Sequence, residues 1–297
     1  MSSDADFLGL RPDDRPGRYT FQVANHLARL DRHLYGGTAI AVSIVAAELV
    51  SERTALWMTT QFVATAPPES TVSVHAEVLA PGRRTNQVRV TGTDEAGATM
   101  FASLGATGLP RDDGLTGVFE RAPVVDAPED SERWHNPFAG MARHAGFEGE
   151  LPELPDDVGF TTVIEFREPT VHEHPDPGPG RLCLWVRRRD RAPATPALVA
   201  FMADAVPLSI AHALRVVARG VSLDNSIRIG AFDDTEWVLL DMRPHLATGG
   251  YGHGALHIWS EHGRLLATAS QSASMYAFSM AELQGGTGAS RKEGSTG

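Results

Sequence analysis

The hydrophobic positions between Arg18 and Gly108 predict one helix followed by several strands. Thr38–Val50 is nearly all apolar, longer than a typical strand and rich in alanine, so it predicts a buried helix entered through Gly36-Gly37. Four shorter apolar runs follow, separated by turn-forming Pro, Gly and Asp residues, which predicts an antiparallel meander. These runs are Ala55–Ala64, Thr71–Leu79, Asn86–Thr93 and Ala98–Thr107.

The same order of elements returns in the second half of the chain. Strand-like runs at Thr161–Phe166 and Arg181–Val186 precede Ala194–Val217, an apolar stretch that predicts a second helix. Four strand-like runs follow it: Val221–Ile229, Glu236–Met242, Ala255–Trp259 and Arg264–Ser274. The last hairpins of the two halves also have similar sequences, DEAGATMFASLGAT and SEHGRLLATASQSAS. We therefore predict a duplicated module of the α+β class.

The two halves are joined by an acidic segment that contains Pro and Gly and only short apolar pieces. It predicts a surface connection with one short helix near Asn136–His144, held against the body by Trp134 and Phe138. The predicted organisation is an N-terminal segment at 1–18, an N-terminal module at 19–108, a connecting segment at 109–158, a C-terminal module at 159–280 and a disordered tail at 281–297.

Charge and composition disfavour several classes of function. The formal net charge of −11 disfavours nucleic acids and anionic membranes as partners, because their phosphates repel an acidic chain. Cys183 is the only cysteine, which excludes an intramolecular disulfide, and Lys292 is the only lysine, which leaves no Schiff-base lysine in the folded body. The first residues lack the pattern of a signal peptide, and no stretch approaches the roughly 20 apolar residues of a membrane span. We expect a soluble, cytoplasmic protein.

Asp204 is a carboxylate on an otherwise apolar part of the second predicted helix. Its neighbours three and four residues away are all apolar, so the carboxylate must be paired, hydrogen-bonded or protonated. Pro207 cannot donate to the carbonyl of Ala203, so we expect the helix to kink or stop beside Asp204 and to leave backbone groups free. A carboxylate that caps a turn at this break is one interpretation. A desolvated base with a raised pKa is the one that we favour.

Two further polar residues lie on predicted strands of the second half. Alternation in Leu265–Ser274 places Gln271 on the face of Leu265, Ala267 and Ala269, so it points inward if that face meets the helix. The alternative is a Gln at the exposed end of its strand. Ser222 opens the strand VSLDNSIRI and shares a face with Asp224, Ser226 and Arg228. By itself, a Ser in this place is typical of a turn.

The C-terminal half resembles the acyl-CoA thioesterase II (TesB-like) family, whose members are double-hotdog proteins. The resemblance rests on FMADAVPL, VSLDNSIRI, Glu236-Trp237, Gly249–Gly254 and HGRLLATASQ, and in the first half on HLYGG, PGRRTNQVRV and FASLGATG. It covers most of residues 19–276. It implies a double hotdog, with two antiparallel sheets that each wrap around a central apolar helix.

The resemblance also implies a site and an activity. The family combines an Asp on the second helix, a Thr at a strand start and a Gln on the last strand, which correspond by motif to Asp204, Ser222 and Gln271, with Ser in place of Thr. It implies hydrolysis of acyl-CoA or a related acyl thioester by a water that Asp204 activates, without a cofactor, and association into a homo-oligomer. Gly105 stands where the hairpin similarity would place a Gln, so we expect one active site per chain.

Two other functions stay open at this point. A double-hotdog hydratase of enoyl thioesters would need an Asp/His pair in a D-x-N-x-x-H-like arrangement, and Asp224-Asn225 lacks that spacing. A non-catalytic acyl-thioester-binding protein is kept open by the change from Thr to Ser222. Metal binding by His172–His174 is disfavoured because we expect these residues in an exposed loop. Arg83-Arg84 and Arg187–Arg189 are candidate contacts for coenzyme A phosphates, or else solvated charges.

Overall fold

A computed structural model describes residues 3–134, 137–146 and 158–278, with residues 137–139 described by their backbone alone. The predicted tail at 281–297 lies outside the described residues, as do residues 147–157 of the connecting segment. The helices, apart from short 3-10 turns, are α1 (Ser3–Phe7), α2 (Gly36–Ser51), α3 (Pro137–His144), α4 (Pro196–Met202) and α5 (Val206–Leu214). The strands are β1 (Arg11–Pro12), β2 (Arg18–Gln22), β3 (Thr54–Phe62), β4 (Thr71–Ala80), β5 (Thr85–Thr93), β6 (Thr99–Gly108), β7 (Val124–Val125), β8 (Glu132–Trp134), β9 (Ile164–Glu168), β10 (Val171–Glu173), β11 (Leu182–Arg188), β12 (Ala218–Ile229), β13 (Val238–Thr248), β14 (Tyr251–Ser260) and β15 (Leu265–Ala277).

Thirteen of the described strands form one continuous antiparallel sheet in the order β1-β2-β4-β5-β6-β3-β12-β15-β14-β13-β11-β9-β8. Each half of the chain thus contributes a block of neighbouring strands. The two blocks meet where β3 pairs with β12, from Trp57 opposite Arg228 to Gln61 opposite Asp224. The prediction of two separate sheets is wrong in this respect, because the edge strands of the two halves satisfy each other's backbone groups.

Helix α2 runs through the inside of the first half. All its residues from 37 to 47 are buried, as expected for a helix that is apolar all round. It packs against β3, β4, β5 and β6. The buried helix predicted over Thr38–Val50, with its entry at Gly36-Gly37, is confirmed.

The second predicted helix, Ala194–Val217, consists of two helices. Helix α4 ends before Asp204 and α5 begins after it, with Pro207 in the first turn of α5. The break expected beside Asp204 is confirmed. Its cause is the one that the sequence indicates, because Pro207 has no N–H group to continue the helical hydrogen bonds.

Helices α4 and α5 together, Pro196–Leu214, are long and apolar enough to pass a length-and-composition test for a membrane-spanning helix. The stretch is interrupted at Asp204, and 67% of its most apolar window is buried inside the protein. The core helix of a globular protein passes the same test, so this stretch is weak evidence for a membrane span.

The connecting segment is more structured than the sequence indicates. Strand β8 adds an edge to the main sheet beside β9, and α3 corresponds to the helix predicted near Asn136–His144. Trp134 is buried, and its Nε1 donates to Glu168 Oε2 at 2.9 Å, so its predicted anchoring role is confirmed. The side chain of Phe138 lies outside the description. His172 and Glu173 belong to β10, which pairs with β7, rather than to the predicted loop.

Candidate active site

Asp204 lies in the break between α4 and α5 and is partly buried. Burial raises the pKa of its carboxyl to about 6, while hydrogen bonds from Ser222 and Gln271, the charge of Arg29 and the Gly37 backbone N–H act in the opposite direction. The raised pKa expected from the sequence is thus confirmed. A carboxyl with this pKa is mostly ionised at neutral pH and is a stronger base than an exposed aspartate.

Ser222 and Gln271 converge on one oxygen of Asp204. Ser222 Oγ donates to Oδ1 at 2.6 Å, and Gln271 Nε2 donates to the same oxygen. Gln271 Nε2 also lies 2.8 Å from Ser222 Oγ, and its Oε1 accepts from the Val206 N–H at 3.2 Å. Both ends of the Gln271 amide are therefore used, which fixes its orientation. The structure brings the three predicted residues together, and the inward direction expected for Gln271 is confirmed by its exposure of 2%.

A β-bulge in β12 turns Ser222 toward Asp204. The register with β15 shifts between Ser222 and Asp224, so Leu223 is the extra residue. The prediction that Ser222 shares a face with Asp224, Ser226 and Arg228 is wrong, because the extra residue in the bulge reverses the alternation of side chains after Ser222. Beyond the bulge it is Asn225 that is fully buried. The strand also begins at Ala218, so Ser222 lies inside it rather than at its start.

The first half of the chain contributes the start of α2 to this site. The Gly37 N–H is hydrogen-bonded to the Asp204 carboxylate. A Cβ on Gly36 would overlap Asp204 Oδ2, and one on Gly37 would overlap the carbonyl of Phe201, so only glycine allows this approach. The partial positive charge of a helix N-terminus favours an anion here. Sequence reasoning missed this contribution, and its only signal was the glycine pair.

Two buried polar residues hold the backbone around Asp204, and sequence reasoning missed both. Asn225 Nδ2 donates at 3.1 Å to the carbonyl of Ala203, the group that Pro207 leaves without its helical partner. Tyr35 Oη donates to the carbonyl of Asp204 itself at 3.3 Å. The free carbonyl expected beside Pro207 was the available signal for Asn225, but its inward position depends on the bulge.

A cavity of about 720 Å³ opens beside the Asp204 carboxylate. It lies where β3 and β12 part, because their pairing ends at Gln61 opposite Asp224 and the segments beyond, residues 62–65 and 218–223, line the cavity. Asp204 and Ser222 face it, whereas Gln271 supports them from behind. The wall is largely apolar and includes Phe62, Phe101, Phe160, Phe166, Phe201 and Met202. Such a lining suits an acyl chain.

The first half of the chain has the same strand registers but not the same polar residues. The hairpins β5–β6 and β14–β15 shift register at matching places, which puts Gly105 at the position of Gln271. The bulge of β12 has a counterpart in β3, which puts Ala55 at the position of Ser222. A Cβ on Gly105 would lie 2.5 Å from the backbone oxygen of Trp57, so a larger side chain does not fit there. Residues 3–134 therefore hold no second copy of the polar set.

The arginines suggested for phosphate binding are used elsewhere or lie away from the cavity. Arg187 pairs with Glu165 at 3.0 Å, and Arg189 donates to the carbonyl of Thr161 at 3.2 Å. Neither of them, nor Arg188 or Arg83-Arg84, lines the cavity.

His174, Cys183 and Asp241 present ligand-type atoms within 4.8 Å of one another. His174 Nδ1 accepts from the Asp176 N–H at 3.1 Å, so Nε2 carries the proton that it donates to Asp241 Oδ1 at 2.9 Å. Asp241 Oδ2 is paired with Arg243 at 2.8 Å. Because a buried guanidinium opposes a metal cation, these residues fit a hydrogen-bonded network better than a metal site.

Comparisons with known proteins agree with the geometry. A family model described as the acyl-CoA thioesterase N-terminal domain matches residues 26–107, and one described as the acyl-CoA thioesterase C-terminal domain matches residues 126–275. A search among curated proteins finds no match.

Solved structures give the same fold. A thioesterase candidate from Novosphingobium aromaticivorans is 30% identical, with 89% of this chain and 97% of that chain covered and a TM-score of 0.76. A hot dog fold protein of unknown function from Alicyclobacillus acidocaldarius is 20% identical, with 94% and 100% covered and a TM-score of 0.75. An acyl-CoA thioesterase II from Mycobacterium marinum is 19% identical, with 93% and 99% covered and a TM-score of 0.68. The last two show the fold alone. With both family models matched in order along most of its length, the chain belongs to the acyl-CoA thioesterase family and is a thioester hydrolase.

Proposed function

We propose that Asp204 is the general base that activates a water for attack on the thioester carbonyl of an acyl-CoA. The observation that carries the proposal is a desolvated carboxylate at the wall of an apolar cavity, with its Oδ1 held by Ser222 and Gln271. Because Oδ1 already accepts two hydrogen bonds, Oδ2 on the side of Gly36 is the oxygen that takes the proton.

The reaction needs one base and one leaving group. As the water oxygen bonds to the carbonyl carbon, its proton passes to Asp204 Oδ2 and the carbonyl π electrons move onto the carbonyl oxygen. Collapse of this oxyanion breaks the C–S bond, and the sulfur departs as a thiolate, which needs no dedicated general acid. The proton then leaves Asp204 for the thiolate or for solvent. The start of α2 at Gly36 borders the same space, and its partial positive charge favours the oxyanion.

The replacement of Thr by Ser222 does not remove the site's hydroxyl. Ser222 Oγ still donates to Asp204, which is the bond that the proposed mechanism needs. A hydratase receives less support, because no histidine of the described residues lines the cavity. Asp224, the other acid considered for that reaction, accepts from the Ser272 N–H at 2.9 Å instead.

Thiol release from a panel of acyl-CoAs tests the proposal. We expect Asp204→Asn to lower kcat by roughly 10²–10⁴-fold, the usual contribution of a positioned general base. Asp14→Asn, at an exposed aspartate, is the matched control and should keep wild-type rates. Wild-type turnover in a folded Asp204→Asn protein would place the base elsewhere.

A further inference from the structure

Among the residues that the structure describes, two cationic side chains line the cavity, those of Arg29 and Arg219. Arg29 is already paired with Asp31 at 2.8 Å. The exposed Arg219 has its guanidinium carbon 5.1 Å from the centre of the Tyr276 ring, and no carboxylate within the described residues is paired with it. A guanidinium against an aromatic ring is held in position while its N–H groups remain free to bind an anion.

The strand that carries Arg219 connects it to the proposed catalytic residues. Residues 218–223 of β12 all line the cavity along the edge that β3 leaves unpaired, so this open edge leads from Ser222 to Arg219, whose side chains lie on opposite faces of the strand. The Cα atoms of these two residues are about 10 Å apart at about 3.3 Å per strand residue, and the guanidinium extends several ångströms further.

The length of this open edge matches the carrier of an acyl-CoA. The pantetheine arm separates the reacting carbonyl from the first phosphorus of the pyrophosphate by about fourteen bonds, which span roughly 17 Å when extended at about 1.2 Å of advance per bond. A thioester whose carbonyl lies at Asp204 can therefore place its pyrophosphate at the guanidinium of Arg219.

We propose that Arg219 binds the pyrophosphate of coenzyme A and makes the enzyme prefer a phosphate-bearing carrier to a simple thiol. The inference rests on the proposed function, because it takes the position of the thioester from Asp204. Arg219 acts on binding of the carrier and takes no part in the bond changes, so its loss raises KM more than it lowers kcat.

The test uses one acyl group on three thiols: coenzyme A, dephospho-coenzyme A and pantetheine. Arg219→Gln lowers kcat/KM for the first two about five- to tenfold and for acyl-pantetheine less than twofold, as expected for a charge-assisted contact that is partly exposed. Arg219→Lys keeps the charge without the planar fork and gives an intermediate loss. Added salt reduces the difference in kcat/KM between wild type and Arg219→Gln, because it screens the charge of the guanidinium.

Arg228→Gln is the matched control, because Arg228 is exposed on the same strand and does not line the cavity. We expect this variant to leave the ratios of kcat/KM between the three thioesters as they are in wild type. An equal loss with all three thioesters would show that Arg219 is only structural. A loss confined to coenzyme A would assign Arg219 to the ribose phosphate and overturn the assignment to the pyrophosphate.

Failure of this inference is distinguishable from failure of the proposed function. If wild type hydrolyses all three thioesters and Arg219→Gln lowers kcat/KM for none of them selectively, only the proposed role of Arg219 is wrong. If Asp204→Asn turns over acyl-pantetheine as fast as wild type does, the proposed base is wrong, whatever Arg219 does.

Discussion

The environment of Asp204 predicts that this carboxylate lowers the stability of the folded protein at neutral and alkaline pH. Folding raises its pKa from 3.8 to about 6. The favourable effect of the raised pKa is fully present below the unfolded value and is lost as the pH rises through about 6. At 1.36 kcal/mol per pKa unit, the buried charge destabilises the fold by about 3 kcal/mol at pH 8 and by about 1 kcal/mol at pH 4.5.

The substitution Asp204→Asn removes the charge and nearly keeps the shape. The Asn oxygen can still accept from Ser222 and Gln271. Replacing the other oxygen by an NH₂ group removes an acceptor, a loss that is the same at every pH. Comparing two pH values cancels this constant loss. We therefore expect the variant to gain about 2 kcal/mol of stability relative to wild type between pH 4.5 and pH 8.

Urea unfolding followed by circular dichroism at both pH values measures this gain. Wild type, Asp204→Asn and the exposed control Asp14→Asn are compared. Each variant must have the same m-value as wild type, so that a shift of the urea midpoint reports a change in stability alone. The control should show no such gain. A difference in stability between wild type and Asp204→Asn that is the same at pH 4.5 and pH 8 would refute the reasoning about burial.

Other expectations concern activity and local packing. The logarithm of kcat/KM should rise with unit slope below about pH 6 and level off above it, since Asp204 must be ionised; a profile that stays flat down to pH 5 contradicts this. Ser222→Ala should lower kcat roughly 10- to 100-fold, the loss of one hydrogen bond to a charged group, whereas Ser222→Thr should keep most of the rate. Gly36→Ala should lower kcat at least about tenfold, because its methyl group overlaps Asp204 Oδ2; wild-type rates would show that α2 can shift. Asn225→Leu should destabilise the protein by about 1–3 kcal/mol in urea unfolding, because it leaves a buried carbonyl unpaired.

The helices and strands, and the site residues Asp204 and Gln271, could be predicted because each is indicated by the pattern of a short sequence segment. Asp204 interrupts an apolar helix next to Pro207, and the alternation of the last strand sets the direction of Gln271. The prediction of Ser222 depended on the family resemblance, because a serine at the predicted start of a strand is by itself typical of a turn. The periodicity of a single segment carries these signals.

The features that could not be predicted arise from contacts between distant segments. The bulge at Leu223 adds one residue to a strand whose sequence alternates regularly, so only its register with β15 reveals it. Pairing of β3 with β12 joins the halves through backbone hydrogen bonds, which side-chain patterns do not specify. The approach of Gly37 to Asp204 likewise depends on how α2 packs against α4.

The unequal halves bear on how such a protein can change over time. In a homodimer of identical single modules, every substitution appears on both sides, so a loss of one site is a loss of both. Joining the modules in one chain removes that constraint. Gly105 and Ala55 leave one half without polar side chains at these positions, while Gln271 and Ser222 keep the other half polar. A single fused chain can therefore evolve its cavity on one side without preserving a working twin.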